Sequence, residues 1–319
     1  MYNYYWGLGV GLAIASSFIS NFGTILQKLY HITYKKIYWI AGLLLMGVAA
    51  AGDIFALVFA PQVLVASLGP LTLVANIILA PIILKEKVTK YEIISTSVII
   101  IGSILSIVFG PHKVLIHDTF TLMNIFFSNK FAIYMSLIIS ILLTLKRIST
   151  MKKKYKVFCF STMSGIFGGH SVLFCKMVTE LFQTAILFGT TNTSTSTSNQ
   201  STQLTEYEKK YMIRPFFLLI LLLMLFCVTV QIFYLNKAFQ CEGQVLKVMP
   251  IFQTWWVFFS IISALFFFND FSQLDDINKV VFICGVLTTK LGLYILFITQ
   301  NKDNKSTRSI LEEFSEQES

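Results

Sequence analysis

Residues 37–60 read IYWIAGLLLMGVAAAGDIFALVFA, a run in which Asp53 is the only charged side chain. A helix crosses the hydrocarbon core with about 20 mostly apolar residues, so this run is long enough to span a bilayer. Similar runs lie on both sides of it, at 5–26, 62–84, 93–109, 131–145, 157–175, 215–235, 245–268 and 277–297. The chain of 319 residues is 55% hydrophobic and 13% charged, with a mean hydropathy of +0.71. A soluble domain of this size needs a more heavily charged surface. The fold class is therefore all-α integral membrane, with about nine transmembrane helices.

The net charge of +9 sits in short segments between apolar runs. That placement fits membrane orientation and argues against nucleic acid as a partner. With the N-terminus outside, Lys35, Lys36, Lys85, Lys87, Arg147, Lys152, Lys153, Lys154 and Lys156 all fall on the inner side, and the C-terminus is cytoplasmic. Cytoplasmic loops carry the Lys/Arg excess, so this is the expected orientation. The segment 189–214 is then a Ser/Thr-rich outer loop. Asn192-Thr193-Ser194 and Asn199-Gln200-Ser201 within it match the N-glycosylation acceptor pattern. Residues 181–188 either prolong the sixth helix or lie at the interface.

Cys159, Cys175, Cys227, Cys241 and Cys284 form no CxxC pair and read as small packing residues or free thiols. The four histidines form no metal-binding helix motif. No phosphate-binding loop, dinucleotide fingerprint or nucleophile elbow occurs, so neither an enzyme nor a cofactor is expected.

The order of punctuation repeats along the chain. Pro70, a charged elbow at Lys85-Glu86-Lys87 and Gly102 recur as Pro250, an elbow at Asn269-Asp270 and Gly285. Upstream, Ser16 to Lys28 resembles Ser164 to Lys176 in apolar spacing and closing lysine. Two four-helix repeats, in 1–110 and 157–298, are thus separated by the region 111–156, which holds one linker helix, and followed by a tail at 299–319. An odd separating helix inverts the second repeat. Inverted repeats are common in secondary transporters, whose solute site lies near the midplane between them.

Asp53 is the acid placed well inside a span, where a carboxylate is costly unless paired, hydrated or protonated, and where acids are functional by default. Gly52, Ala49 and Ala50 beside it allow close helix approach. Lys290, inside the last span, could bind an anion, compensate Asp53 or snorkel. His170 follows Gly168-Gly169 in the sixth span and is either a packed neutral imidazole or part of a transport site. Lys176 and Glu180 read as an ordinary ion pair at the outer end of that span. Pro70 and Pro250 are expected helix breaks that free carbonyls, either to line a cavity or simply as kinks. Asn76 and Gln253 follow them as candidate oxygen ligands.

Two runs then carry a family resemblance. Gly52-Asp53-Ile54-Phe55-Ala56-Leu57-Val58-Phe59-Ala60-Pro61 continues through Leu64-Val65 to Gly69-Pro70-Leu71. Gln231-Ile232-Phe233-Tyr234-Leu235-Asn236-Lys237-Ala238 lies in the second half. Together they resemble the signatures of the NIPA-type magnesium transporters, relatives within the drug/metabolite transporter superfamily. Gly169-His170-Ser171 with Lys176 and Glu180 is similar to the fungal branch. The resemblance implies a nine-helix carrier of magnesium, with other divalent cations as further substrates, working without ATP. It implies Asp53 as the metal-binding acid, at a position where the family usually has glutamate. A metabolite carrier for an organic anion or a sugar nucleotide is the rival reading. The expected partners are the lipid bilayer and the magnesium ion, with a homodimer allowed. The expected location is the plasma membrane or the endosomal and secretory membranes.

Overall fold

The computed structural model describes residues 6–84, 88–112, 117, 119–152, 155–191, 200–242, 245–268, 271 and 274–317. Both elbows, Lys85-Glu86-Lys87 and Asn269-Asp270, and both acceptor asparagines, Asn192 and Asn199, lie outside them. The described residues form eleven helices and no strand: α1 (Trp6–Thr33), α2 (Lys36–Phe59), α3 (Gln62–Leu68), α4 (Leu71–Leu84), α5 (Lys90–Phe109), α6 (Thr119–Phe126), α7 (Asn129–Met151), α8 (Lys156–Thr191), α9 (Gln200–Glu242), α10 (Val245–Phe268) and α11 (Asp276–Gln317). Nine described segments are long and apolar enough to cross a membrane, α3 and α4 together making the third.

Local chemistry sets several ends. Tyr34, at φ 55°, closes α1 through a bond from its N–H to the Tyr30 carbonyl. Pro61 lacks an N–H, so α2 stops at Phe59 and an extended Ala60-Pro61 link leads straight into α3. Thr89 and Glu92 form a reciprocal capping box that starts α5. Ser128 caps α7 by accepting from the Phe131 N–H at 3.2 Å.

Three helices run further than the apolar pattern indicates. The sixth span does not end at 175: α8 continues to Thr191 and still buries Met177, Glu180, Leu181 and Thr184. Helix α9 begins at Gln200, inside the segment read as an outer loop, and carries Pro215 in its interior. Similarly, α11 carries helical backbone through the polar tail to Gln317.

The packing centres on α8, whose spanning segment is 72% buried against 17% for α7 and for α9. Helix α8 packs on α9 and α10, α1 packs on α2 and α4, α5 lies along α11, and α3 meets α10. Small residues make these approaches possible. A Cβ on Gly102 would meet the Thr289 hydroxyl and would lie 2.5 Å from the Thr289 nitrogen and 2.7 Å from the Gly285 carbonyl oxygen. Gly285 and Gly292 in turn face Ser106 and Ile99. Gly102 and Gly285, the glycines matched by the repeat, therefore meet at one helix crossing.

Candidate functional site

Asp53 lies on the stripe of α2 that also holds the buried Ala49, Ala56 and Leu57, yet its own side chain is exposed. The Ser16 hydroxyl of α1 lies beside its carboxylate. Gly52 is what brings the helices this close, because a Cβ there would collide with Ser16 Oγ.

The third span breaks at Gly69-Pro70, between α3 and α4. Pro70 supplies no N–H, and the chain tightens into three-residue bonds: Gly69 N–H to Ala66 O at 3.2 Å, Thr72 N–H to Gly69 O at 3.2 Å and Leu73 N–H to Pro70 O at 3.0 Å. Among the described residues no backbone N–H bonds the Ser67 or Leu68 carbonyl across this break. Such freed carbonyls are oxygen ligands where they line a cavity. Asn21 of α1 braces the far side by donating to Thr72 O at 3.0 Å.

Gln253 and Trp256 of α10 press against the break. A Cβ on Gly69 would collide with the Trp256 ring and lie 3.0 Å from Gln253 Nε2. The other edge of Trp256 meets Gly168 of α8, where a Cβ would also lie 3.0 Å from Gln231 Cδ. Gln231 of α9 is tied to α8 twice: Ser164 donates to its backbone carbonyl at 2.8 Å, and Ser171 donates to its Oε1 at 3.5 Å. One tryptophan wedged between two glycines thus gathers the break, Gln253 and Gln231. Asn76 lies further along α4, half-buried.

The remaining sequence candidates lie elsewhere. Helix α10 passes through Pro250 without interruption, so Pro250 does not break its helix. It is the sixth residue of the helix, so its missing N–H removes one bond, to the Leu246 carbonyl, without ending the helix. His170 engages both ring nitrogens, Nε2 with the Tyr134 hydroxyl at 2.9 Å and Nδ1 with the Ile166 carbonyl at 2.7 Å. The carbonyl can only accept, so Nδ1 carries the proton, and Nε2 of the neutral ring accepts from Tyr134. His170 therefore joins α7 to α8. Lys290 places its ammonium 4.2 Å from the Phe258 ring centroid. It makes no ion pair with Asp53 among the described residues, and α11 packs along α5 and α10, not α2. Similar depth in two helices does not make them neighbours.

The sequence reading also placed Asp53 as the one acid well inside a span, and Glu180 corrects it. Glu180 and Lys176 are 1% and 3% exposed. Pro61 leaves the Leu57 carbonyl without its helical donor, and Lys176 Nζ fills that gap at 2.7 Å. Gln183 Nε2 donates to the next carbonyl, Val58 O, at 3.1 Å. Glu180 Oε2 accepts from the His117 N–H at 3.4 Å and lies 3.2 Å from His117 Nδ1. The available signal was a proline after α2 paired with a lysine and acid four residues apart on a neighbouring span.

Comparison with known proteins follows this geometry. A family profile described as magnesium transporter NIPA matches residues 4–304. "Probable magnesium transporter NIPA8" of Arabidopsis thaliana is 24% identical, over 94% of this chain and 71% of that protein. "Probable magnesium transporter NIPA6" of the same plant is 25% identical, over 95% of this chain and 91% of its own length. "NIPA-like protein 2" of Homo sapiens is 21% identical, over 93% and 74%. No solved structure matches the chain. With the profile covering nearly all of its helices, this multi-pass chain belongs to the magnesium transporter NIPA family.

Proposed function

We propose that this chain carries magnesium, with other divalent cations as further substrates, across its membrane by alternating access and without ATP or enzymatic chemistry. The observation that carries the reading is Asp53: an acid inside a spanning helix, exposed and beside the Ser16 hydroxyl. Magnesium sheds water reluctantly and is typically held through one or two carboxylates while keeping several waters. A carboxylate with room beside it and free lone pairs suits a partly hydrated ion. The open carbonyls at the Gly69-Pro70 break, with Gln253 and Asn76, are the oxygen groups that continue the path. Pro70 supplies the break.

The same reading takes 1–110 and 157–298 as inverted four-helix units. In support, the first unit packs its first helix on its second and third spans, and the second unit packs α8 on α9 and α10 in the same pattern. The Lys/Arg distribution supports an outer N-terminus and a cytoplasmic C-terminus. Plasma or endosomal and secretory membranes are the proposed location, with Asn192 and Asn199 as glycosylation acceptors outside, and a homodimer as the assembly.

Flux of magnesium into liposomes holding the purified chain tests the reading. Uptake that survives intact in Asp53→Asn ends it. Lys290, a half-buried cation with no carboxylate in ion-pair range among the described residues, supports the rival. Uptake of organic anions that is lost in Lys290→Met would establish that carrier instead.

A further inference from the structure

Four oxygens belong to the place where α8 packs on the end of α2. Two are backbone carbonyls, Leu57 O and Val58 O, whose helical donors would have come from Pro61 and Gln62. Two are side-chain atoms, Glu180 Oε1 and Gln183 Oε1, both buried and without a hydrogen-bond partner. A buried acceptor left unpaired is costly, and a buried carboxylate oxygen more so. The Lys176 ammonium stands between two of them, 2.7 Å from Leu57 O but 3.6 Å from Glu180 Oε1. The lysine thus satisfies the carbonyl and leaves the carboxylate oxygen without a hydrogen bond. His117 holds only the other carboxylate oxygen, Oε2.

An ammonium and a hard divalent cation want the same surroundings: oxygen ligands and a nearby negative charge. We infer that Leu57 O, Val58 O, Glu180 Oε1 and Gln183 Oε1 form a second site for a divalent cation, in which the Lys176 ammonium holds the place of the ion. This rests on the cation-transport reading but concerns other side chains than Asp53. The two lie in series along α2, because Leu57 is one turn beyond Asp53, about 6 Å at the usual rise. Cys175, the neighbour of Lys176, lies within electrostatic range of Asp53. The lysine makes occupancy competitive. An ion enters only by displacing it, which keeps the site weak enough to release its cargo.

The test is manganese binding to the full chain in lipid nanodiscs, followed by electron paramagnetic resonance, since manganese(II) takes the same oxygen ligands. Removing the competitor in Lys176→Met should tighten binding at one site at least about tenfold. Glu180→Gln, which keeps the shape and loses the charge, should remove that site. Asp53→Asn should leave it in place. A Lys176→Met protein that binds no more tightly than the parent, or a Glu180→Gln protein that keeps every parental manganese, overturns the inference. If Lys176→Met does not fold, Lys176→Gln, which retains a donor for Leu57 O, gives the same two outcomes. Loss of one manganese in Asp53→Asn with none lost in Glu180→Gln sinks this second site and leaves the transport reading standing.

Discussion

The α1–α2 pair and the α8–α9 pair solve one packing problem with different chemistry. In each, a glycine lets a polar side chain of the second helix come against serine on the first. Gly52 admits Ser16 to Asp53, and Gly168 leaves room for Gln231 beside Ser164 and Ser171. The first pair holds a charge, on the exposed Asp53. The second holds a neutral amide, bonded twice to its neighbour and backed by Trp256. Helix geometry alone does not make a cation site. The proposed cation site is placed at the first pair because only that pair carries a charge.

The largest expected effect comes from removing that charge. Asp53→Asn should lower magnesium flux by about 100-fold or more, the factor that roughly 2.7 kcal/mol of lost stabilisation gives. Gln231→Leu should keep most of it. Liposome flux of both variants, alongside their expression and folding, checks the asymmetry; equal losses would erase it.

The glycines sharpen the comparison next. A Cβ on Gly52 meets only Ser16 Oγ closely, the mobile end of a side chain, whereas one on Gly102 meets the α11 backbone. Gly102→Ala must push α5 from α11 and should destabilise the protein by about 1–3 kcal/mol. Gly52→Ala should cost less stability but several-fold in flux, because Ser16 is displaced from Asp53. Thermal unfolding and flux measured together separate the two. A Gly52→Ala protein with parental flux would show that Ser16 contributes nothing to the site.

A smaller effect is expected on the α8 side. Tyr134→Phe leaves His170 Nε2 buried without its donor and should cost about 1–3 kcal/mol in stability, with substrate affinity unchanged. A change in affinity instead would return His170 to the transport path. Smallest is Lys290→Met, which removes a cation–π contact with Phe258 worth about 0.5–1 kcal/mol. Half-saturation should move by no more than about fivefold, with maximal rate unchanged, as read from concentration-dependent uptake.

Much of this molecule is legible in the chain. Apolar length dictates nine spans, because a bilayer imposes one minimum helix length on all of them. Asp53 stands out because a charge in such a run is rare and expensive. Gly102 and Gly285 can be paired on paper because repeat order is a property of the chain. The sequence does not reveal which helices touch. Depth along separate helices puts Asp53 and Lys290 within reach of each other, but packing gives the one Ser16 and the other Phe258. Hydropathy sets Lys176 and Glu180 at a wet interface, yet α8 is the central helix, so both are buried on the end of α2. The proline pattern treats Pro70 and Pro250 as equivalents. Pro70 breaks its helix in mid-span, while α10 runs on through Pro250. Residue type and spacing fix what a helix can bury, and only the choice of neighbours decides which charge is met, which carbonyl is left open and which acid remains accessible to an ion.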